Sequence, residues 1–390
     1  MAELPSAAWT ARADLAKLIE ALGPDNARWV GGAVRDTLLG HAVADVDCAT
    51  PLHPDQVIER LKQAGIKSVP TGIAHGTVTA VLPQGNVEIT TLRHDVSTDG
   101  RRATVSFASD WREDAARRDF TINALYADPV SGQIFDYFDG LADLSARQVR
   151  FIGDAQQRIR EDHLRILRYF RFQARFGAEL NSEAENACST LAATLKGLSR
   201  ERVAMELLKL LALPAPDATI RRMFQLGVLP VILPEVTEAG LAELERLMKW
   251  EASQGAEPSS LRRMAALLPP NAETAAAVAS RLRLSRSQKK YLTILAERSP
   301  QDAGAPRALA FRNGKDAAID RLLLTGADSR VLQSWENPDF PLKGGEIVSR
   351  GVAAGPDVAR ILQAVQNRWI AEEFPGRDRV EILLTEELGN

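Results

Sequence analysis

The sequence predicts an α/β domain at the N-terminal end followed by an all-α remainder, and three observations predict it. Between about residues 28 and 152, short strand-like runs ("WVGG", "DVDCAT", "NVEITTLRHD" and a hairpin in "LYADPVSGQIFDYF") are mixed with helical stretches. From about residue 154 onward the segments become Leu- and Ala-rich with helical spacing. Proline-containing breaks, "LALPAPDA", "LPVILPEV", "LLPPNAE" and "ENPDFPLKGGE", divide those helices, and no low-complexity tract or regular repeat interrupts them.

The chain of 390 residues, 45% hydrophobic and 25% charged, is long enough for two or more domains with a full core. A net charge of −3 argues against indiscriminate polyanion binding while leaving room for local basic faces. Cys48 and Cys188 offer neither a disulfide framework nor zinc spacing, so they read as small buried hydrophobes in a reducing compartment. The N-terminus lacks a long apolar core and no stretch approaches the ~20 residues of a membrane span, which makes a cytoplasmic protein the expectation.

In "RWVGGAVRDTLLG" (28–40) an apolar strand end meets Gly31-Gly32, then a helix from about Ala33 to Leu39 stopped by Gly40. Two glycines admit close backbone approach, the helix start offers free N–H groups, and Arg35 lies one turn in. The pattern suits a phosphate or is merely a tight turn. In "HAVADVDCATP" (41–51), strand alternation points Asp45 and Asp47 to one face. Two adjacent carboxylates are unfavourable without a cation between them, and oxygen ligands of this kind suit Mg²⁺; the alternative is an acidic turn in solvent. Phosphate and dication together read as a nucleotide site.

A helix near 54–64 follows, then "NVEITTLR" (86–93), whose alternation puts Val87, Ile89 and Thr91 on one face and Glu88 on the other. Glu88 either completes a metal triad with Asp45 and Asp47 or is an edge-strand glutamate in water. In "DAARRDFTINALYAD" (114–128), Asp119 is placed to N-cap "FTINAL", and Arg117 and Arg118 at a helix start are electrostatically misplaced unless they serve an anion such as a triphosphate. In "RIREDHLRILRYFRFQARFG" (158–177), Asp162, Arg165, Arg168 and Arg171 recur every third residue. On one helix each lies ~4.5 Å further along and ~60° around the axis, with Leu164, Leu167 and Phe170 or Ala174 supplying the apolar stripe. The ridge is an anion-binding edge or a solvated basic face.

Taken in order, "VGGAVRDTLLG", "DVDCAT", "GIAHGTVTAV", "VEITTLR", "RRATVSF", "RRDFTINAL", "EDHLRILRYFRF" and "LSRERVAMELLKLL" resemble the class II tRNA nucleotidyltransferases and bacterial poly(A) polymerases, densely over about residues 28 to 212. "LKGGEIVSRGVAAGPDVARILQAVQNRWI" (342–370) resembles the tail of CCA-adding enzymes, with Glu346 where an Asp is more usual. The resemblance implies a polymerase-β-like head with a mixed five-stranded sheet over residues 1–152, a helical neck (153–212), a helical body (213–335) and a helical tail (336–390) that binds tRNA. It implies Asp45 and Asp47 as Mg²⁺-binding catalytic aspartates and Glu88 as a nearby third carboxylate. Gly32, Arg35 and Arg118 are implied as triphosphate contacts, Asp162 and Arg165 as the pair reading the incoming base, and Arg168 and Arg171 as further nucleotide contacts.

The implied reaction is attack of a tRNA 3′-hydroxyl on the α-phosphorus of CTP or ATP with release of pyrophosphate, which needs no nucleophilic side chain. The resemblance implies no membrane and no protein partner. The "LRHDVSTDGRRATVSF" loop and the "TGIAHGTVT" region favour CCA addition over A-adding, CC-adding and poly(A) activities; the arginine-rich tract and long basic tail associated with poly(A) polymerases are not seen. A catalytically silent RNA-binding protein is the alternative of another class, and the intact Asp45, Asp47, Arg118, Asp162 and Arg165 argue against it. The basic cluster "RLRLSRSQKKYL" (281–292) is either a tRNA-phosphate contact or a solvated face.

Overall fold

The computed structural model describes residues 2–99, 102–108 and 110–389. Gly100 and Arg101, within the "LRHDVSTDGRRATVSF" loop, lie outside the described residues. Contacts group the chain into two units, Met1–Pro234 and Glu235–Asn390.

The first unit opens with α1 (Ala13–Leu22), β1 (Arg28–Val30), α2 (Gly32–Leu38), β2 (Val46–Thr50), α3 (Pro54–Gln63), β3 (Lys67–Gly72), β4 (Thr77–Val81) and β5 (Val87–Thr91). A separate two-stranded ribbon, β6 (Arg93–Asp99) and β7 (Arg102–Phe107), precedes α4 (Trp111–Ala116), the hairpin β8 (Leu125–Ala127) and β9 (Ile134–Asp136), and α5 (Gly140–Ser145). The main sheet runs β3-β4-β5-β2-β1-β8-β9. Only β2 and β5 pair in parallel within it, because α3 and the β3–β4 hairpin supply the crossover that a parallel pair requires. The sheet thus has seven strands rather than the five that the resemblance implies, since the β8–β9 hairpin adds two strands through the pairing of β8 with β1. Alternation in β5 behaves as read: Val87, Ile89 and Thr91 are buried and Glu88 is exposed.

Six helices complete this unit: α6 (Ala155–Glu161), α7 (Arg165–Phe176), α8 (Ser182–Leu191), α9 (Arg200–Leu211), α10 (Asp217–Gln225) and α11 (Leu229–Ile232). The expected single helix through 162–171 is instead two. Asp162 caps the end of α6 in an extended conformation (φ −147°, ψ 104°), and its Oδ1 accepts the N–H of Leu164 at 3.1 Å. A short polar side chain that can bond its own backbone prefers such a junction to a helix interior. Helix α7 is seated on the head by aromatic packing, with Phe120 against Phe151 (4.9 Å between ring centres) and Phe172 (5.4 Å), and Phe151 stacked on Tyr169 (5.8 Å).

The second unit is helical throughout its described regular elements: α12 (Glu238–Gln254), α13 (Ser260–Leu267), α14 (Ala272–Arg281), α15 (Arg286–Ala296), α16 (Pro306–Asn313), α17 (Lys315–Thr325), α18 (Gly344–Ser349), α19 (Pro356–Ala371) and α20 (Arg377–Leu388). A buried ionic network ties α12, α13 and α17, with Arg262 donating to Glu251 and Asp320 at 2.6 Å each and Arg263 pairing with Glu251 at 2.8 Å. Glu346, at the position noted as unusual, accepts the backbone N–H of Lys343 at 2.9 Å and pairs with Arg377, so the longer side chain is used for capping and for a contact to α20. Both cysteines are buried and free. Among the described residues no helix is long and apolar enough to cross a membrane.

Gly140 opens α5 where backbone crosses backbone: a Cβ there would lie 2.4 Å from the carbonyl oxygen of Thr121. Overpacking against an immovable carbonyl predicts that Gly140→Ala lowers stability by about 2–3 kcal/mol, a fall in Tm of roughly 5–10 °C by thermal denaturation. An unchanged Tm would show that the two segments separate freely.

Candidate active site

The α2 end of the sheet carries a cavity of about 440 Å³ whose lining includes Gly31, Gly32, Arg35, Asp45, Asp47, Arg118, Asp119, Arg168, Arg171 and Arg175. Its floor is set by β1 and β2. Gly31 turns the chain from β1 into α2 at φ 71°, ψ −122°, a conformation that costs glycine little. Opposite it, Asp47 sits on β2 in register with Val30 of β1 on one side and Glu88 of β5 on the other. Asp45 lies just before β2, exposed, and lines the same cavity, so the two-residue spacing does converge the carboxylates.

Electrostatics single out Asp47. Burial, then the neighbouring Glu88 and Asp45 charges, push its carboxyl up to about 6, with Arg118 opposing them. Glu88 is exposed and outside the cavity lining. Among the described residues no three His, Cys, Asp or Glu side chains gather closely enough to hold a metal by themselves, so the structure does not collect the carboxylate triad that Glu88 was read as completing.

The cationic wall is held from behind. Arg35, only 4% exposed, donates through Nε to Asp36 (2.9 Å) and through Nη1 to Asn123, and it lies over Phe176 (4.6 Å). Arg168 pairs with Asp119 at 2.5 Å, Arg171 with the buried Glu206 at 2.6 Å, and Arg175 with Asp36 at 3.0 Å. Burial alone would raise the Asp119 carboxyl, yet Arg168 and the Asn123 amide hold it down at about 2. Arg117 and Arg118 are not solvated: both pair with Asp114. Asp119 does not cap a helix through "FTINAL". That segment is one 3₁₀ turn (Thr121–Asn123) leading into β8, and the Asp119 carboxylate accepts instead from the N–H of Phe120 (2.9 Å) and from Asn123 (3.0 Å).

Asp162 and Arg165 lie outside the cavity lining. Asp162 Oδ2 accepts from Arg202 at 2.8 Å, while Arg165 donates to Glu161 (2.8 Å) and to the carbonyls of Arg158 (3.0 Å) and Arg117 (2.9 Å). The structure therefore gathers Gly32, Arg35, Asp45, Asp47, Arg118, Arg168 and Arg171 and keeps the Asp162–Arg165 pair at the α6–α7 junction. Asp36, Asp119, Asn123 and Arg175 join the site without a sequence reading that pointed to them; for Arg175 the signal was its place four residues beyond Arg171 on one helix face.

Two family models match the chain, a poly A polymerase head domain over residues 27–150 and a probable RNA- and SrmB-binding site of polymerase A over residues 177–239. A mouse mitochondrial CCA tRNA nucleotidyltransferase 1 is 37% identical over 362 residues, covering 88% of this chain and 82% of that protein. The chain belongs to the CCA tRNA nucleotidyltransferase family. A CCA-adding enzyme of Levilactobacillus brevis is 32% identical over 90% of each chain. The crystal structure of a Bacillus stearothermophilus CCA-adding enzyme in complex with CTP superposes with a TM-score of 0.76, at 27% identity, over 96% of this chain and 97% of that one. The charged cavity is built against β2, which lies between β1 and β5 in the sheet, and is closed by arginines of α7.

Because the folded-state pKa of Asp47 is raised, the metal-free fold gains from its protonation below the ordinary value of 3.8 and loses that contribution as pH rises through about 6. Asp47→Asn is therefore expected to stabilise the chelator-treated protein at pH 7.5 by about 1–3 kcal/mol and to change it little near pH 4. Melting curves at the two pH values check this, and an equal effect at both would place the charge elsewhere.

Proposed function

We infer that this protein adds CCA to the 3′ end of tRNA from CTP and ATP without a nucleic-acid template, releasing pyrophosphate. The observation that carries the reading is one cavity in which a carboxylate pair, Asp45 and Asp47, faces Arg35, Arg118, Arg168, Arg171 and Arg175. A nucleoside triphosphate with a dication has that charge pattern. Two carboxylates with Asp47 held at about 6 form an under-neutralised oxygen site, which fits Mg²⁺ taking its other ligands from water and phosphate.

Asp45 and Asp47 would hold the ion, which when bound stabilises charge on the attacking and leaving oxygens. The chain's own groups do the positioning. Gly31 and Gly32 leave room for phosphate at the turn, and Arg118, Arg168, Arg171 and Arg175 supply charge to the triphosphate, with the more deeply buried Arg35 behind them. A tRNA 3′-hydroxyl then displaces pyrophosphate at the α-phosphorus.

Base choice falls to Asp162 and Arg165. Cytosine and adenine each present an amino donor beside a bare ring nitrogen, whereas uracil and guanine present a carbonyl beside N–H. Asp162 has two partners for about four lone-pair sites, and Arg165 commits three of its five N–H groups, so both keep capacity for a base edge without moving. The bond from Arg165 to the Arg117 carbonyl ties this pair to the residue before Arg118, which supports one nucleotide spanning both.

The head (1–152), neck (153–212), body (213–335) and tail (336–390) would divide the work, with the helical parts offering surface to tRNA; the exposed Arg286, Lys289 and Lys290 support a phosphate contact there, while Arg281 is occupied by Glu235. Two free, buried thiols support a reducing compartment such as the cytoplasm, although the mouse relative is named as mitochondrial.

Labelled incorporation into tRNA lacking its 3′ end, with CTP alone, ATP alone and both, tests the reading: two C then one A is expected, and A-only products or long A tails would replace it by an A-adding or poly(A) activity. Asp45→Ala and Asp47→Ala should each abolish transfer of both nucleotides in a protein that still melts cooperatively; near-normal turnover in either sinks the metal assignment. Asp162→Ala should reduce CTP use roughly ten- to a hundredfold, the loss of a hydrogen bond to a charged acceptor, while narrowing the gap to UTP. Unchanged discrimination against UTP would move base reading to other residues.

A further inference from the structure

Behind Arg118 lies a buried polar cluster that the reaction does not touch. Asp114, on α4, is 1% exposed. Its Oδ2 accepts the Tyr126 hydroxyl at 2.6 Å and Arg118 Nη2 at 3.2 Å, and its Oδ1 accepts Arg117 Nε at 2.8 Å and, more distantly, the backbone N–H of Arg93 at 3.4 Å. Tyr126 closes the figure from the sheet: it sits on β8 opposite Val30 of β1, and its hydroxyl oxygen accepts Arg118 Nε at 3.1 Å. Two of the three guanidinium nitrogens of Arg118 are thereby fixed from behind. The third, Nη1, faces the Gly31 turn, 3.6 Å from where a Cβ on Gly31 would stand.

We propose that Tyr126 and Asp114 are positioning residues for nucleotide transfer: they orient the Arg118 guanidinium so that Nη1 meets the triphosphate beside Gly31, and they act on the substrate only through Arg118. A planar guanidinium gripped at Nε and Nη2 has one remaining direction, whereas an unsupported arginine would have to be ordered by the substrate itself. The carboxylate stays charged in this setting. Burial alone would raise Asp114, but Arg118 and Arg117 hold it down at about 2, and burial drives the Tyr126 hydroxyl upward so that it remains a donor. Seating Tyr126 on the strand next to β1 refers the guanidinium to the same frame that carries the Gly31 turn and Asp47.

The proposal rests on Arg118 as a triphosphate contact, so its test is a double-mutant cycle in the full-length protein with Tyr126→Phe, Arg118→Ala and the pair. KM and kcat for CTP and for ATP are measured on tRNA ending before CCA and before A, respectively, well below each variant's Tm. Tyr126→Phe removes one hydroxyl and leaves the ring packing, and it is expected to raise KM for both nucleotides about fivefold, the loss of roughly one hydrogen bond, with kcat nearly unchanged. In the Arg118→Ala background the same change should alter KM less than about twofold. Equal effects of Tyr126→Phe with and without Arg118 would overturn the proposal, as would a lowered Tm with unchanged KM, since the cluster would then be structural only. If Arg118→Ala itself leaves KM unchanged, the triphosphate assignment of Arg118 fails first. Asp114→Asn provides a second arm: with one acceptor oxygen exchanged for NH₂ it should move KM in the same direction, and Asp114→Glu should recover part of the loss.

Discussion

Every arginine that lines the cavity is held by an acceptor that is itself buried or nearly so, and the site depends on that pairing. Arg35 and Arg175 share Asp36; Arg118 rests on Asp114, Arg168 on Asp119 and Arg171 on Glu206. Five guanidinium groups converging without such partners would repel one another, and each would sample many rotamers. Pairing offsets the repulsion and removes most of the ordering that a substrate would otherwise have to impose. It also explains why the head and the helices after it form one unit. The acceptors come from α2, α4 and the Asp119 turn as well as from α9, so α7 cannot leave the head without stranding charge in a dry environment.

The acidic side of the cavity is built on the opposite plan. Asp45 and Asp47 line it together, and burial with the Glu88 and Asp45 charges raises the Asp47 carboxyl against the opposing pull of Arg118. The arginines of the cavity are thus paired from behind, while this carboxylate pair is left under-neutralised. Sheet register makes the arrangement rigid, because Asp47 is locked between Val30 and Glu88 by ladders on both sides of β2.

Local patterns were legible in the sequence and distant partners were not. The glycine turn, the alternation that converges Asp45 with Asp47, and the face of β5 from which Glu88 projects follow from local geometry over a few residues. The α/β-to-α transition is equally a matter of periodicity. Helical spacing failed at Asp162, where three-residue recurrence in "EDHLRILR" looked continuous although the aspartate ends α6 in an extended conformation and bonds the Leu164 N–H in the junction before α7. Asp119 reads as a helix cap, and Asp114, Asn123 and Tyr126 carry no signal, because their role lies in what the fold sets opposite them: nothing in "DAARRDFTINALYAD" reveals that two of its carboxylates point inward at arginines. Likewise the extra pair of strands depends on a hairpin whose existence the turn residues announce but whose neighbour, β1, they do not.

The ion pair between Arg175 and Asp36 joins positions 139 residues apart, and it has a consequence for synthesis. Contacts of such sequence separation form late, since the loop between them must close before they contribute. A nascent chain that has displayed β1, α2 and β2 already carries the glycine turn and both aspartates of the cavity, yet it holds none of the cations supplied by α7. A ribosome-bound fragment that ends before α7 therefore lacks three of the five arginines that line the cavity, Arg168, Arg171 and Arg175, and the cationic wall is completed late in synthesis.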